Sequence, residues 1–271
     1  MTHPLSLPAH PDATLSYDTP FIRRAVRPDP RARLICFPHA GAGAGSYRTW
    51  PALLPPDIEL VAVQLPGRED RVGDAPFTRA EPMIRSVLQA LRPYLDLPAA
   101  FFGHSGGALL AYESARGLMR RLGISPAWLI LSGQNAPDRG QQERLHRLPD
   151  SKLAERMREL DGTDPEILDH PDALRDLLPV LRTDFMVWET YRFTPESGVA
   201  VPIDVLGGDR DRCTDDAGLA GWREWTSGPV TVRMFPDGHF FLHQARGEIV
   251  GLIADRLSPR AERIPEGSHG P

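Results

Sequence analysis

The sequence predicts an α/β fold with a mostly parallel central sheet flanked by helices and one helical insertion late in the chain. Three observations carry this expectation. Short apolar runs recur at 33–37, 60–63, 99–102, 128–131, 203–206 and 230–235, and the first four are nearly continuous in apolar character, as strands covered on both faces are. Helical patterns separate several of them, which calls for crossover connections between parallel strands. One long segment, from about 138 to 193, carries helical periodicity and no convincing strand.

The elements follow in order. The first 20 residues hold prolines at 4, 8, 11 and 20 among polar residues and read as an irregular arm; the tail from 259 onward reads the same way. The expected core is therefore 21–137 together with 194–258. Between the second and third strands, Met83, Ile84, Val87, Leu88 and Leu91 share one face of a helix, and after the third strand Leu109, Tyr112, Leu118 and Met119 do so more loosely. In the insertion, the run 153–158 is helical, and Leu174, Leu177, Leu178, Leu181, Phe185 and Trp188 follow at helical spacing, with Pro179 expected to kink or split the run. Such an insertion is either a lid over an active site or an extra packing layer.

Composition narrows the function classes. A chain of 271 residues, 41% hydrophobic, can bury one sizeable core. A formal net charge of −5, with Arg interleaved among Asp and Glu, gives no reason to expect nucleic acid or an anionic membrane as partner. The two cysteines, Cys36 and Cys213, make neither a disulfide framework nor a zinc site by themselves. No signal-peptide pattern and no membrane-length apolar run is read, so the expectation is a soluble cytoplasmic protein.

The chemistry concentrates in three places. Gly103-His104-Ser105-Gly106-Gly107 directly follows an apolar strand and precedes a helical pattern, the context in which a G-x-S-x-G turn presents a nucleophilic serine. A serine hydroxyl needs a base, and His239, in the loop after the run 230–235, is the best candidate. His243 follows at i+4, but no third ligand accompanies the two as a metal pair. The base needs a carboxylate to orient it. Asp211, shortly after the run 203–206, is favoured over Asp209, with Asp215 and Asp216 more distant; the chain order Ser, Asp, His is that of α/β-hydrolases. An oxyanion needs backbone donors, expected from Gly106 and from Ala40 in the Gly-rich loop after the first strand. That loop lacks the lysine of a phosphate-binding P-loop and fails the dinucleotide spacing.

At these residues the sequence resembles a known family, the type II thioesterases that accompany polyketide synthases and nonribosomal peptide synthetases. The matching features run from about Phe21 to Leu242. Phe37-Pro38-His39-Ala40-Gly41, followed by Tyr47 and Trp50, resembles the family's oxyanion loop, and Gln64-Leu65-Pro66-Gly67-Arg68-Glu69-Asp70-Arg71 its Q-x-P-G-R-E-x-R signature. Ala111-Tyr112-Glu113, Leu131-Ser132-Gly133, Asp184-Phe185 with Glu189-Thr190-Tyr191, and Pro236 through Leu242 also fit. Two positions depart from the pattern: Gly106 stands where Met or Leu is common, and Asp237 where a second glycine is.

The resemblance implies an α/β-hydrolase fold and an editing enzyme of antibiotic-type biosynthesis. It would hydrolyse acyl groups from the phosphopantetheine arm of acyl or peptidyl carrier proteins, without a metal or a cofactor of its own; a monomer is the default expectation. It also makes 138–193 the family's helical lid. The Q-x-P-G-R-E loop itself reads as a brace of the nucleophile turn through Arg68 and Glu69, in preference to a substrate contact. The alternatives are a general carboxylesterase, a product-releasing thioesterase, or a non-catalytic binding module on the same fold.

Overall fold

The structure, a computed structural model, describes residues 14–140, 144–163, 165–195 and 198–258. Strands β1 (Ser16–Thr19), β2 (Ile22–Ala25), β3 (Ala32–Phe37), β4 (Ile58–Val63), β5 (Ala99–His104), β6 (Trp128–Ser132), β7 (Ile203–Gly208) and β8 (Val230–Phe235) form one sheet, ordered β1-β2-β4-β3-β5-β6-β7-β8. The longer helices are α1 (Ala80–Leu91), α2 (Gly106–Leu122), α3 (Asp150–Leu160), α4 (Pro165–Asp169), α5 (Pro171–Thr190), α6 (Asp216–Ala220) and α7 (Arg246–Leu257).

From β4 to β8 every pairing is parallel, while β1 pairs antiparallel with β2 and β2 antiparallel with β4. The inner strands β3, β4, β5 and β7 are buried at every residue, which explains their mostly apolar character. Polar side chains inside the sheet are paired: Glu59 of β4 accepts from Arg33 at 2.8 Å, and Asp204 of β7 takes a two-pronged contact from Arg256 at 2.7 and 3.1 Å. At the outer edge β8 alternates instead, because one of its faces meets solvent.

The expected irregular arm is corrected at its end. Residues 16–19 form edge strand β1, whose Ser-Tyr-Asp-Thr sequence has no apolar signal because three of its four residues are exposed. Backbone pairing holds it, helped by the Tyr94 hydroxyl donating to Asp18. Residues 1–13, and the tail expected from 259 onward, lie outside the described residues.

Two apolar layers cover the sheet. On one face α1 and α2 bury Met83, Val87, Leu91, Leu109 and Tyr112 against β3, β4 and β5; on the other, α7 buries Ile249 and Ile253 beside Tyr47 and Trp50. The loose stripe of α2 has a physical reason: twelve of its residues are buried, so over most of its length the helix is enclosed, and only its last turn, Arg120 to Leu122, is exposed.

Between β6 and β7 the described chain makes α3, α4 and α5 and no named strand, as the insertion predicts. Its residues Leu145, Leu153, Met157, Leu168, Leu178 and Leu181 form a small core of their own. Pro179 does not split α5, which runs as one helix through it. Buried Leu178 and Leu181 on either side hold that turn against the insertion core, which offsets the backbone bond a proline removes. Among the described residues no helix is long and apolar enough to cross a membrane.

Candidate active site

The parallel strands all point their C-terminal ends toward one rim, and each predicted site residue sits there. Ala40 follows β3, Ser105 follows β5, Asp211 follows β7 and His239 follows β8. Ligand sites gather at this edge of α/β sheets because the loops there are free to vary while the strands fix their roots.

Ser105 has φ +53° and ψ −127°, a left-handed backbone costly for any residue bearing a Cβ. The surrounding chain enforces it: Ser105 N–H donates to the Ser132 carbonyl at 2.8 Å, and α2 begins at the next residue. Glycines on both sides are required by contact. A Cβ on Gly103 would lie 2.1 Å from the Gly107 carbonyl oxygen, and one on Gly107 2.4 Å from the Phe37 carbonyl oxygen. The strained turn therefore packs backbone directly on backbone, and the serine is lifted to the N-terminus of α2.

His239 is buried, and its Nδ1 lies 2.8 Å from Asp211 Oδ2. The Asp211 side chain has no exposed surface. Burial raises its pKa, but hydrogen bonds from His239, the Cys213 amide at 2.7 Å and the Thr214 hydroxyl at 3.1 Å outweigh it, so the carboxyl is held below its ordinary range. An ionised carboxylate there keeps the Nδ1 proton in place and leaves Nε2 free to accept one.

The rival acids have other duties. Asp209 Oδ1 accepts from the Asp237 amide at 3.0 Å and so shapes the loop that carries His239. Asp215 caps α6 through the Gly218 amide at 2.6 Å, and Asp216 begins that helix exposed to solvent. Among the described residues the metal-capable cluster around His239 does not include His243, whose ring packs edge-on against Phe240, centroids 5.6 Å apart.

Two contributors were not singled out in the sequence. His104, the residue before Ser105, is fully buried with Nδ1 3.0 Å from Ser132 Oγ, and its ring lies 4.8 Å from that of His239. Burial above all, then the neighbouring His239 and His39, lowers its pKa well below the usual value, so a neutral ring backs His239 without opposing its protonation. The second is Trp188 of α5. A Cβ on Gly106 would meet its Cδ1 and Nε1 at 2.7 Å, so the indole fills the space into which a larger side chain at 106 would project. Gly106→Met is expected to overpack this site by about 1–3 kcal/mol. Thermal melting should show Gly106→Met losing stability, and a smaller residue at 188 recovering most of it.

The Q-x-P-G-R-E loop braces a different element from the one expected. Its contacts go to the Gly-rich loop after β3 and not to the nucleophile turn. Gln64 Oε1 accepts from the Ala44 amide at 2.8 Å, Glu69 Oε1 from the Gly45 amide at 3.1 Å, and Arg68 donates to the Ala42 carbonyl at 3.1 Å. Arg68 also makes a two-pronged pair with Asp184 of α5 at 2.5 and 2.9 Å, and the second role of Asp184 is to accept from the Gly41 amide at 2.8 Å. The loop carrying Ala40 is thus clamped between the signature loop and the insertion.

Two cavities meet at the serine. One is mostly apolar, walled by Ala40, Met157, Leu160, Leu181, Phe185 and Phe240; the other is more polar, with Gln134, Asn135, Arg156 and Glu189. Ser105 and His239 line both.

Known proteins of the same design were found. Residues 32–257 match the model of the thioesterase domain. The chain is 37% identical over 249 residues to the thioesterase PikA5 of Streptomyces venezuelae, covering 91% of this chain and 89% of that one. It is 34% identical to the gramicidin S biosynthesis protein GrsT of Aneurinibacillus migulanus, covering 88% and 93%. Among solved structures, the type II thioesterase BorB from the borrelidin biosynthetic cluster superposes with a TM-score of 0.83 at 36% identity over 90% of this chain and all of that one. The RedJ thioesterase from the prodiginine pathway of Streptomyces coelicolor gives 0.82 at 32% identity, covering 94% and 96%. With sheet order, strained serine turn and His–Asp pair in the same chain as these matches, the protein belongs to the thioesterase family and is a thioester hydrolase of the α/β-hydrolase fold.

Proposed function

We propose that this enzyme is a stand-alone type II thioesterase that clears acyl groups from the phosphopantetheine arms of carrier proteins in polyketide or nonribosomal peptide biosynthesis. The observation that carries the reading is the pair of unlike cavities meeting at Ser105. An acyl chain suits the apolar one, and a pantetheine arm with its two amides suits the polar one. Relatives named for such pathways support it. In this reading residues 138–193 act as the lid, since α3 and α5 supply Met157, Leu160, Leu181 and Phe185 to the apolar wall.

The reaction runs in two halves. Ser105 Oγ attacks the thioester carbonyl while His239 Nε2 takes its proton, and Asp211 steadies the imidazolium. The Ala40 and Gly106 amides bind the oxyanion, Gly106 being at a helix N-terminus where the first amides have no intrahelical partner. The pantetheine thiolate leaves with a proton from His239; His239 then activates water, which releases the acid from Ser105. The only cofactor-like group required is the arm that the carrier protein brings. The enzyme would work as a monomer in the cytoplasm, where its carrier proteins are.

Hydrolysis of acyl-pantetheine, acyl-carrier and matched oxygen-ester substrates tests this. Preferred turnover of the carrier-bound thioesters is expected. Faster cleavage of simple oxygen esters would make the protein a carboxylesterase, and formation of cyclised or elongated products would make it a releasing enzyme.

A further inference from the structure

A cysteine stands beside the His–Asp pair. Cys213 is solvent-exposed, and the turn that gives its amide to Asp211 also brings its side chain to the same place. One ligand atom from each of Asp211, Cys213 and His239 lies within 4.8 Å of the other two. Thiolate, imidazole and carboxylate together are a donor set suited to Zn²⁺. Bond lengths of about 2.0–2.3 Å around a tetrahedral ion place its ligand atoms roughly 3.3–3.8 Å apart, so small side-chain rotations close the site.

We propose that Asp211, Cys213 and His239 form an inhibitory site for Zn²⁺ or a similar divalent cation, entered from the exposed side of Cys213. Binding replaces the Sγ–H bond with an Sγ–metal bond and releases that one proton to solvent, while the proton on Nδ1 moves to Nε2 as the Nδ1–metal bond forms, with no change of oxidation state. An imidazole coordinated through Nδ1 keeps its remaining proton on Nε2, so the nitrogen that accepts the Ser105 proton becomes a donor and catalysis stops. The Arg156 guanidinium, with Nη2 3.8 Å from Cys213 Sγ, opposes the ion and makes the site reversible rather than a permanent zinc centre. Metal binding stands on this geometry alone, whereas the inhibition rests on His239 as the catalytic base.

The test uses the full-length protein with two readouts. Titration with Co²⁺ in the absence of substrate reports a thiolate-to-cobalt charge-transfer band, and zinc titration of acyl-pantetheine hydrolysis, followed by substrate loss, reports inhibition. The wild type is expected to show the band and to be inhibited by micromolar zinc, with full recovery on adding chelator. Cys213→Ala and Cys213→Ser should lose the band and, with inhibition scaled to each variant's own zinc-free turnover, need about 10-fold more zinc or higher. A wild type without the thiolate band, or variants as zinc-sensitive as the wild type, would overturn the site. If the protein proves inactive on thioesters, the cobalt titration still decides the site independently of that failure.

Discussion

Ser105→Ala is expected to lower thioester turnover by about 10⁶-fold while leaving the fold intact, because it removes the hydroxyl that forms the acyl-enzyme. The alanine inherits the same strained backbone, so circular dichroism and melting should be close to wild type. His239→Ala should cost nearly as much, since a serine without its base is a neutral alcohol. The acids separate more sharply. Asp211→Asn should lower kcat by about 10⁴-fold, because the amide favours the tautomer that puts the proton on the wrong ring nitrogen. Asp209→Asn should stay within a few-fold of wild type, since an amide oxygen can still accept the bond that Asp209 takes from the Asp237 amide. Labelling with a fluorophosphonate probe gives a second readout: it should modify Ser105 in the wild type and Asp209→Asn, weakly in Asp211→Asn, and not at all in Ser105→Ala. Equal turnover in wild type and Ser105→Ala would remove the nucleophile from the account altogether.

Much of this site was readable because local sequence and local geometry coincide. A strand, a glycine-flanked serine and a helix sit next to each other in the chain, so the turn at Ser105 could be read from contiguous residues. His239 and Asp211 followed from their places just past strands. What could not be read depends on contacts across the chain. Asp211 and Asp209 stand two residues apart on one loop, and only the folded turn, with the Cys213 amide and Thr214 hydroxyl on one carboxylate, decides which of them faces His239. Trp188 above Gly106 joins α5 to the nucleophile turn, and no local pattern announces that an indole will take the place of a side chain. Strand β1 was missed for the opposite reason: its exposed residues carry no burial signal, and only its pairing with β2 defines it.

The Arg68–Asp184 clamp is the clearest contact of that long-range kind, spanning 116 residues, and breaking it should lower stability and rate together. Both side chains are buried, and Asp184 also receives the Gly41 amide, the residue next to Ala40. Arg68→Ala leaves a buried carboxylate without its cation, a change that costs about 3–5 kcal/mol. It also frees the loop that carries Ala40, and loss of one oxyanion donor, the role proposed for its amide, is worth about 10²–10³-fold in kcat. Stability and positioning can be told apart. Replacing both partners with apolar residues, Arg68→Met with Asp184→Leu, removes the charge imbalance and should recover most of the lost stability. It cannot recover the bond that the Gly41 amide donates to Asp184, so kcat should stay low while KM changes little. Arg68→Lys keeps the charge but loses the two-pronged geometry and should fall between the two. A double variant that regains both melting temperature and kcat would show that the clamp only stabilises the fold; one that regains the first alone would show that α5, through Asp184, sets the oxyanion loop, and that seating the insertion and arming the catalytic site are one event.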